Sequence, residues 1–482
     1  MMTHITSERG YVLLSLLLIM SAVLPLLIIF VGWSVTTLRV VEQTQEREVA
    51  FHIAEAGIDY YRWRLAHDPQ DFQDGTGQAG PYVHTVDDKN GTPIGEFSLD
   101  ITPPALGSTQ VIIESTGTSY NQPDISRTIR VRLAIPSLAS YAVVANSAMR
   151  FGEGTEVFGP IHSNGGIRFD GFAHNVISSS RQTYSDTDGD ACNSTAWGVQ
   201  TCLTPQDPAP FLEPAARTDV FAAGRSFPAP QVDFAGISND LSLIRIAAQS
   251  DGYHRGPSGA SGYEIELQDN GTFDVYRVNS LVSPPSGCGV DQEGWGTWSV
   301  NSRTFLETVT YPVNGALFFE DHIWISGVLR DQYLTVGAGV FPETVETRKN
   351  IIINNNLTYD GYDGNESIAL IAQNSIHVGM VSAQNLRIDA ALIAQNGRVG
   401  RYYYNPPTGG WWGSSRCSPY HARDEITLYG MIATQNRYGF AYTDNTGYGI
   451  RNIIYDGNLL YNPPPLFPTT AESYQILSWQ EL

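Results

Sequence analysis

Three aspartates alternate in the segment Ser185-Asp186-Thr187-Asp188-Gly189-Asp190. Such spacing on a loop offers hard oxygen ligands of the kind calcium takes. The glycine position and distal glutamate of a full EF-hand pattern are missing, so a solvated acidic turn is the competing reading and calcium is the only cofactor suggested. Four cysteines, Cys192, Cys202, Cys288 and Cys417, show no CxxC or other metal-ligand spacing, which argues against zinc. On an oxidising side of a membrane, a Cys192–Cys202 pair would close a loop and a Cys288–Cys417 pair would join two distant segments; the spacing leaves the pairing open. Glycoside hydrolysis needs two carboxylates facing one cleft, and Asp360, Asp363, Glu366 and Asp389 show no motif that sets two of them opposite each other. His162 and His377 sit beside apolar residues of short strands and read as structural. With no nucleophile elbow, phosphate loop or HExxH motif, the chain is expected not to be an enzyme.

A second chemical cluster is aromatic. Tyr402, Tyr403, Tyr404, Trp411, Trp412 and Tyr420 crowd the segment 401–424. Rings on a loop can stack on sugar faces or anchor a protein partner, and they can equally fold back over an apolar edge. Tyr402, Tyr403, Tyr404, Trp411 and Trp412 are the expected ligand contact, with a surface glycan or protein as partner. The 28 basic residues against 49 acidic ones give a net charge of -21, with lysine only at Lys89 and Lys349. Phosphate binding needs clustered basic residues, so nucleic acid is not expected as a partner.

The elements that would carry these groups begin with a stem. An uncharged apolar run extends from Tyr11 to Trp33, and about 20 such residues cross a bilayer as a helix. A secretory signal would be shorter and followed by a small-residue cleavage site. Beyond Trp33, the residues Phe51, Ala54, Ile58, Tyr61 and Leu65 recur at helical spacing, with Arg47, Glu48, Glu55, Asp59 and Arg62 on the other side. The helix expected over 11–66 therefore projects beyond the membrane, with Pro25 predicted to kink it.

The order Glu8-Arg9-Gly10-Tyr11, apolar stem and amphipathic continuation resembles type IV prepilins and pseudopilins. Ala50-Phe51 followed by Ala54-Glu55-Ala56-Gly57 is similar to the N-terminal segment of PilX-type minor pilins. The resemblance implies a leader, 1–10, cut by prepilin peptidase between Gly10 and Tyr11, and association with other pilin or pseudopilin subunits. It also implies storage as a single-pass membrane protein, with the N-terminus cytoplasmic and the remainder outside, before display on a pilus or cell surface. Bulk pilins carry glutamate at the fifth mature position, where this chain has Ser15, and that departure implies a minor or tip subunit.

After a Pro/Gly-rich hinge at 67–81, the segments 95–102, 110–117 and 125–135 alternate apolar and polar residues as strands do. They predict a small antiparallel head, 67–136, laid on the upper half of the helix. From 137 to 482 the chain repeats itself. Ala369-Leu370-Ile371-Ala372-Gln373-Asn374 recurs 22 residues later as Ala391-Leu392-Ile393-Ala394-Gln395-Asn396. Looser copies begin at Ile161, Ala316 and Met431. Short apolar strands with Asn/Gly corners at that period predict a right-handed parallel β-helix, interrupted by an insertion at 180–310 and by the aromatic loop. The predicted class is thus α+β: a pilin-type helix on a small antiparallel sheet, followed by a mainly-β solenoid. The tail 452–482, rich in proline and closing on Ser478-Trp479, resembles the ends of large pilus-associated proteins with PilX-like N-termini; it is expected to run extended and cover the end of the solenoid. The expected function is a minor or tip pilin-like subunit displaying a solenoid for adhesion or assembly priming. The rival is a membrane-anchored β-helix polysaccharide lyase or hydrolase.

Overall fold

The computed structural model describes residues 9–104, 109–190, 192–234, 237–409, 413–470 and 473–482. They form two compact units. One holds Met1–Pro103, Val111–Ala134 and Tyr474–Leu482, and the other holds Pro104–Gln110 and Ile135–Ser473.

The first unit is the stem and head. Helix α1, Arg9–His67, continues through Pro25. Every apolar side chain from Tyr11 to Val41 is exposed. Farther along, Ala50, Ile53, Ala54, Gly57, Ile58, Tyr61 and Leu65 form a buried stripe. That stripe packs on Phe97, Leu99, Val111, Ile113, Ile129, Val131 and Leu133, the inward residues of an antiparallel sheet. The sheet order is β1 (Tyr82–Asp87), β2 (Pro93–Thr102), β3 (Val111–Ser119), β4 (Ser126–Ala134) and a C-terminal strand, Gln475–Glu481. The strict alternation of β3, buried at every second residue, is what one covered face demands. The tail therefore departs from its predicted place: Gln475 pairs with Ala134 and Glu481 with Ile129, making the last strand an edge of the head. Its partners lie more than 300 residues earlier in the chain, so local sequence carries no trace of the pairing.

The second unit is a mostly-β body built from parallel ladders. One ladder stacks, in spatial order, Tyr253–Arg255, Ala316–Phe319, Tyr333–Ala338, Ser367–Ala372, Asn385–Ala394, Ala422–Thr434, Val143–Ala145, Ile161–Ser163, Ile177–Ser179 and Arg225–Ser226. The two strong sequence repeats lie in register within it, Ala369 on Ala391 and Leu370 on Leu392. The looser copies at 161, 316 and 431 fall in the same ladder. A second ladder stacks Gly262–Leu267, Ile323–Leu329, Ile351–Ile352, Ile376–Val378 and Val399–Arg401. At the corners, Asn396 donates from Nδ2 to the carbonyl of Gln373 (2.7 Å), one layer away.

Layer order is not chain order. The first strands of the body sit on its last: Val143–Ala145 pairs with Ala422–Thr434, and Thr155–Phe158 pairs with Gly447–Tyr455. Between Arg225–Ser226 and Tyr253–Arg255 the chain passes from one end of the ladder to the other through α2, Ile237–Ser250. Leu241, Ile244 and Ala248 of this crossing pack on Ala316, Phe318, Ile371 and Ile393, the ladder residues that face away from the main core. This explains why the repeat Ala-Leu-Ile-Ala is apolar on both faces. The predicted insertion at 180–310 is corrected accordingly, because Arg225–Ser226, Tyr253–Arg255 and Gly262–Leu267 complete ladders. Of the expected tail, Gly447–Tyr455 is a ladder strand and Asn458–Tyr461 a short helix.

Candidate functional site

In the segment that resembles minor pilins the helix approaches the sheet closely. Gly117 in β3 lies under Ala50 and Ala54: a Cβ there would fall well inside contact distance of the Ala50 carbonyl oxygen and the Ala54 nitrogen. Gly57 faces the Ser115 hydroxyl and the Phe97 ring in the same way. Small residues on both surfaces let the backbones approach. Phe51, one residue round from Ala50, meets Trp479 of the C-terminal strand edge-on at 5.9 Å between centroids. The two sequence features that carried the resemblance, near residue 51 and near residue 479, are therefore in contact. Glu55 accepts from His52 Nδ1 at 3.0 Å on the exposed side, and Ala56 is half-buried.

Beside this stripe, Arg64 donates from Nε to Asp71 Oδ2 (2.6 Å), and Tyr60 donates to Asp74 Oδ1 (2.9 Å), fastening the hinge 67–81 to the helix. Burial opposes ionisation of Asp71, but the N–H groups of Gly75 and Gln73 and the Arg64 guanidinium outweigh it and hold the carboxyl below its ordinary range. Ser15 donates back to the Val12 carbonyl along the exposed stem. Gly10 and Tyr11 fall within α1.

The calcium expectation at Asp186, Asp188 and Asp190 gives way to an arginine cluster. Asp188 receives both terminal nitrogens of Arg437 (2.7 and 2.8 Å), and Asp190 receives both of Arg150 (2.6 Å each). Asp186 accepts from Gln200 Nε2 at 2.9 Å. Guanidinium groups occupy the positions a cation would take, and the Arg150 hydrogen bonds hold Asp190 down to about 2. Among the described residues there is no cluster of His, Cys, Asp or Glu arranged to hold a metal.

The cysteines are paired as Cys192–Cys202 and Cys288–Cys417. Beside the second bond, two of the expected contact residues, Tyr402 and Tyr404, turn inward. Tyr402 and Tyr404 are buried with Cys288, Cys417 and Met380. Tyr402 shares a hydrogen bond with His377 Nε2 (3.0 Å), and Tyr404 donates to the Gly296 carbonyl (2.9 Å). Tyr403 reaches Asp444 (2.7 Å), while Trp411 and Trp412 lie outside the described residues. The rings fold inward because the apolar cluster needs cover. His377 is fully buried, and desolvation together with nearby Arg398 and His322 depresses its basicity strongly. His322 is lowered to about 4 by burial, reinforced by Lys349, and its Nδ1 accepts from the Asn350 N–H. His162 is also lowered by burial and bonds Ser178 and Asn164. The arginine cluster was invisible in the sequence because its members come from positions 150, 168 and 437, and no local pattern joins them.

No protein-family model and no curated protein matches the chain. Among solved structures, the competence-associated pilin ComZ from Thermus thermophilus aligns over 91% of this chain and 97% of its own, at 15% identity and a TM-score of 0.29. A likeness at that score does not establish a shared fold.

Proposed function

We propose that the chain is a minor, pilin-like subunit of a type IV pilus or related filament, whose body is displayed for adhesion or assembly priming and acts without turnover. The observation that carries the reading is the division of α1: bare apolar residues over 11–41, then a small-residue stripe seated on a sheet from Ala50 onward. A helix with this division can be stored in a bilayer and then buried among neighbouring stems. In this reading the leader is cut between Gly10 and Tyr11, the N-terminus faces the cytoplasm, and Ser15 fits a tip position. Two disulfides support placing the body on an oxidising side. We infer a right-handed parallel β-helix for the body, on the strength of its stacked ladders and the general handedness of crossover connections. The non-enzymatic reading is supported by the acids near the repeats: Asp360 is held by Arg330, and Asp389 is fully buried against Arg387 and Tyr362.

Co-expression with a prepilin peptidase tests this directly. Intact mass and N-terminal sequencing are expected to give a mature chain starting at Tyr11, with the cut abolished in Gly10→Leu. A mature chain starting at Met1, or after the apolar run, would sink the proposal.

A further inference from the structure

Five arginines, Arg150, Arg168, Arg398, Arg437 and Arg451, converge on one cavity of about 760 Å³ in the body. The chain has only 28 basic residues and a net charge of -21, so this concentration is against the composition. The cavity lies where the second ladder stops. Beyond Val399–Arg401 that ladder is reduced to a single bridge between Gly400 and Gly439, and the strand Met149–Phe151 belongs to a separate three-stranded sheet. The gap opens a wall that is otherwise closed by hydrogen bonds.

Arg150, Arg168 and Arg437 are matched by Asp170, Asp188 and Asp190. Arg398 and Arg451 are not: among the described residues neither has a carboxylate within 4.0 Å, and the same holds for Arg401 and Arg423. Arg451 is buried and donates only to neutral oxygens, those of Thr155, Tyr448 and Gly449 among them. Arg401 is fully buried between the rings of Tyr404 and Tyr448, and its Nε and Nη1 have no partner. Tyr448 also lines the cavity. Buried cations without counter-charge are costly, and an anion in the cavity would offset that cost.

We propose that this cavity binds an acidic saccharide, with Arg398 receiving the sugar carboxylate while Asp188, Asp190 and Tyr442 meet its hydroxyl groups. Arg398 commits only Nη2, to the Arg401 carbonyl (2.9 Å) and the Tyr442 hydroxyl (3.4 Å), and so keeps donors for a ligand. The rim is of mixed sign. Its carboxylates repel a compact dianion such as phosphate and accept from hydroxyls, which suits a ligand whose negative charge is spread over separate sugar rings among many O–H donors. Tyr442 offers a half-buried ring at the rim, with the buried rings of Tyr438, Phe440 and Tyr448 behind the cavity wall. The site deepens the adhesive part of the proposed function and rests on reading the body as a binding surface.

The test uses the full chain in detergent micelles, titrated calorimetrically with trigalacturonate, neutral galactotriose, inorganic phosphate and a short peptide with a free C-terminal carboxylate. Trigalacturonate is expected to bind saturably and more weakly as salt rises, and galactotriose at least tenfold more weakly. Arg398→Gln should lose at least tenfold, Arg398→Lys less, and the distant Arg330→Gln nothing. Absence of saturable trigalacturonate binding, equal binding of galactotriose, or preference for phosphate or peptide would overturn the proposal. So would unchanged binding by Arg398→Gln with an unchanged melting temperature. Loss of surface attachment with trigalacturonate binding intact would instead remove the display reading and leave the cavity site standing.

Discussion

The head and the body solve one problem, burying a sheet face, in opposite ways. In the head, four consecutive antiparallel strands are covered by a helix that precedes them and edged by a strand from the end of the chain. In the body, like residues stack on like in parallel, Leu370 on Leu392 and Ile371 on Ile393, and the outward face is covered by a segment crossing from one end of the ladder to the other. The head depends on one close fit between two surfaces. The body depends on the sum of many similar layers, and on cross-links where the layers are interrupted. A single misfit should therefore cost the head most, and loss of a staple should cost the body most.

The largest expected effect sharpens that contrast. Cys288→Ser with Cys417→Ser opens a link between residues 129 apart, worth about 5 kcal/mol on chain-entropy grounds, whereas the 10-residue Cys192–Cys202 link is worth about 3 kcal/mol. Calorimetry should show the body's transition fall in that order while the head's stays in place. Equal losses from the two pairs would break the layered picture.

Acid should separate the units next. His322 has a folded pKa of about 4, below its unfolded value of about 6.5, so the unfolded chain takes up more protons between those values. The stability this group contributes to the body is complete above about pH 6.5 and is lost as pH falls toward 4, about 3 kcal/mol in all. His377 and His162 are depressed in the same direction. In the head, Asp71 is held below its ordinary range, so its contribution is present above about pH 3.9 and fades only below that. Hydrogen exchange at pH 7 and pH 4.5 should show protection lost in the body first, and an earlier loss in the head would contradict this order.

The smallest effect probes the fit itself. Gly117→Val drives a side chain into the helix backbone at Ala50 and Ala54 and should cost the head about 1–3 kcal/mol. A comparable change at the exposed Gly457 should cost less, because its φ of -62° suits any residue and a Cβ there meets nothing within 4 Å. Thermal denaturation of the two variants is the comparison to make.

Local periodicity foretold whatever is locally determined. The helix stripe, the strands near 95, 111 and 126, and the 22-residue repeat all follow from residues close together in the chain. The first head strand, Tyr82–Asp87, also alternates, between the hinge that ends at 81 and the strand expected from 95. The last strand, Gln475–Glu481, carries no local signal, because its exposure does not alternate and its partner is remote. The broken order of the ladders hid the strands within 180–310, since the layers they complete are far away in sequence. Aromatic crowding at 402–404 is legible as a cluster, but whether rings face outward depends on the Cys288–Cys417 bond and the apolar group beneath them.

The pairing of Ala134 with Gln475 has a mechanical meaning. The long excursion of the chain from the head runs between these residues, and they occupy the same rung of adjacent strands. A tensile load carried along that excursion is therefore split between two neighbouring strand ends. Neither strand can be drawn against the other by that load, so resistance falls to the ladder between β4 and β3, from Leu133 on Val111 to Ser126 on Thr118. Hydrogen bonds loaded together along such a ladder yield at higher force than bonds opened one at a time, and the late return of the chain thereby turns an edge strand into a second tether.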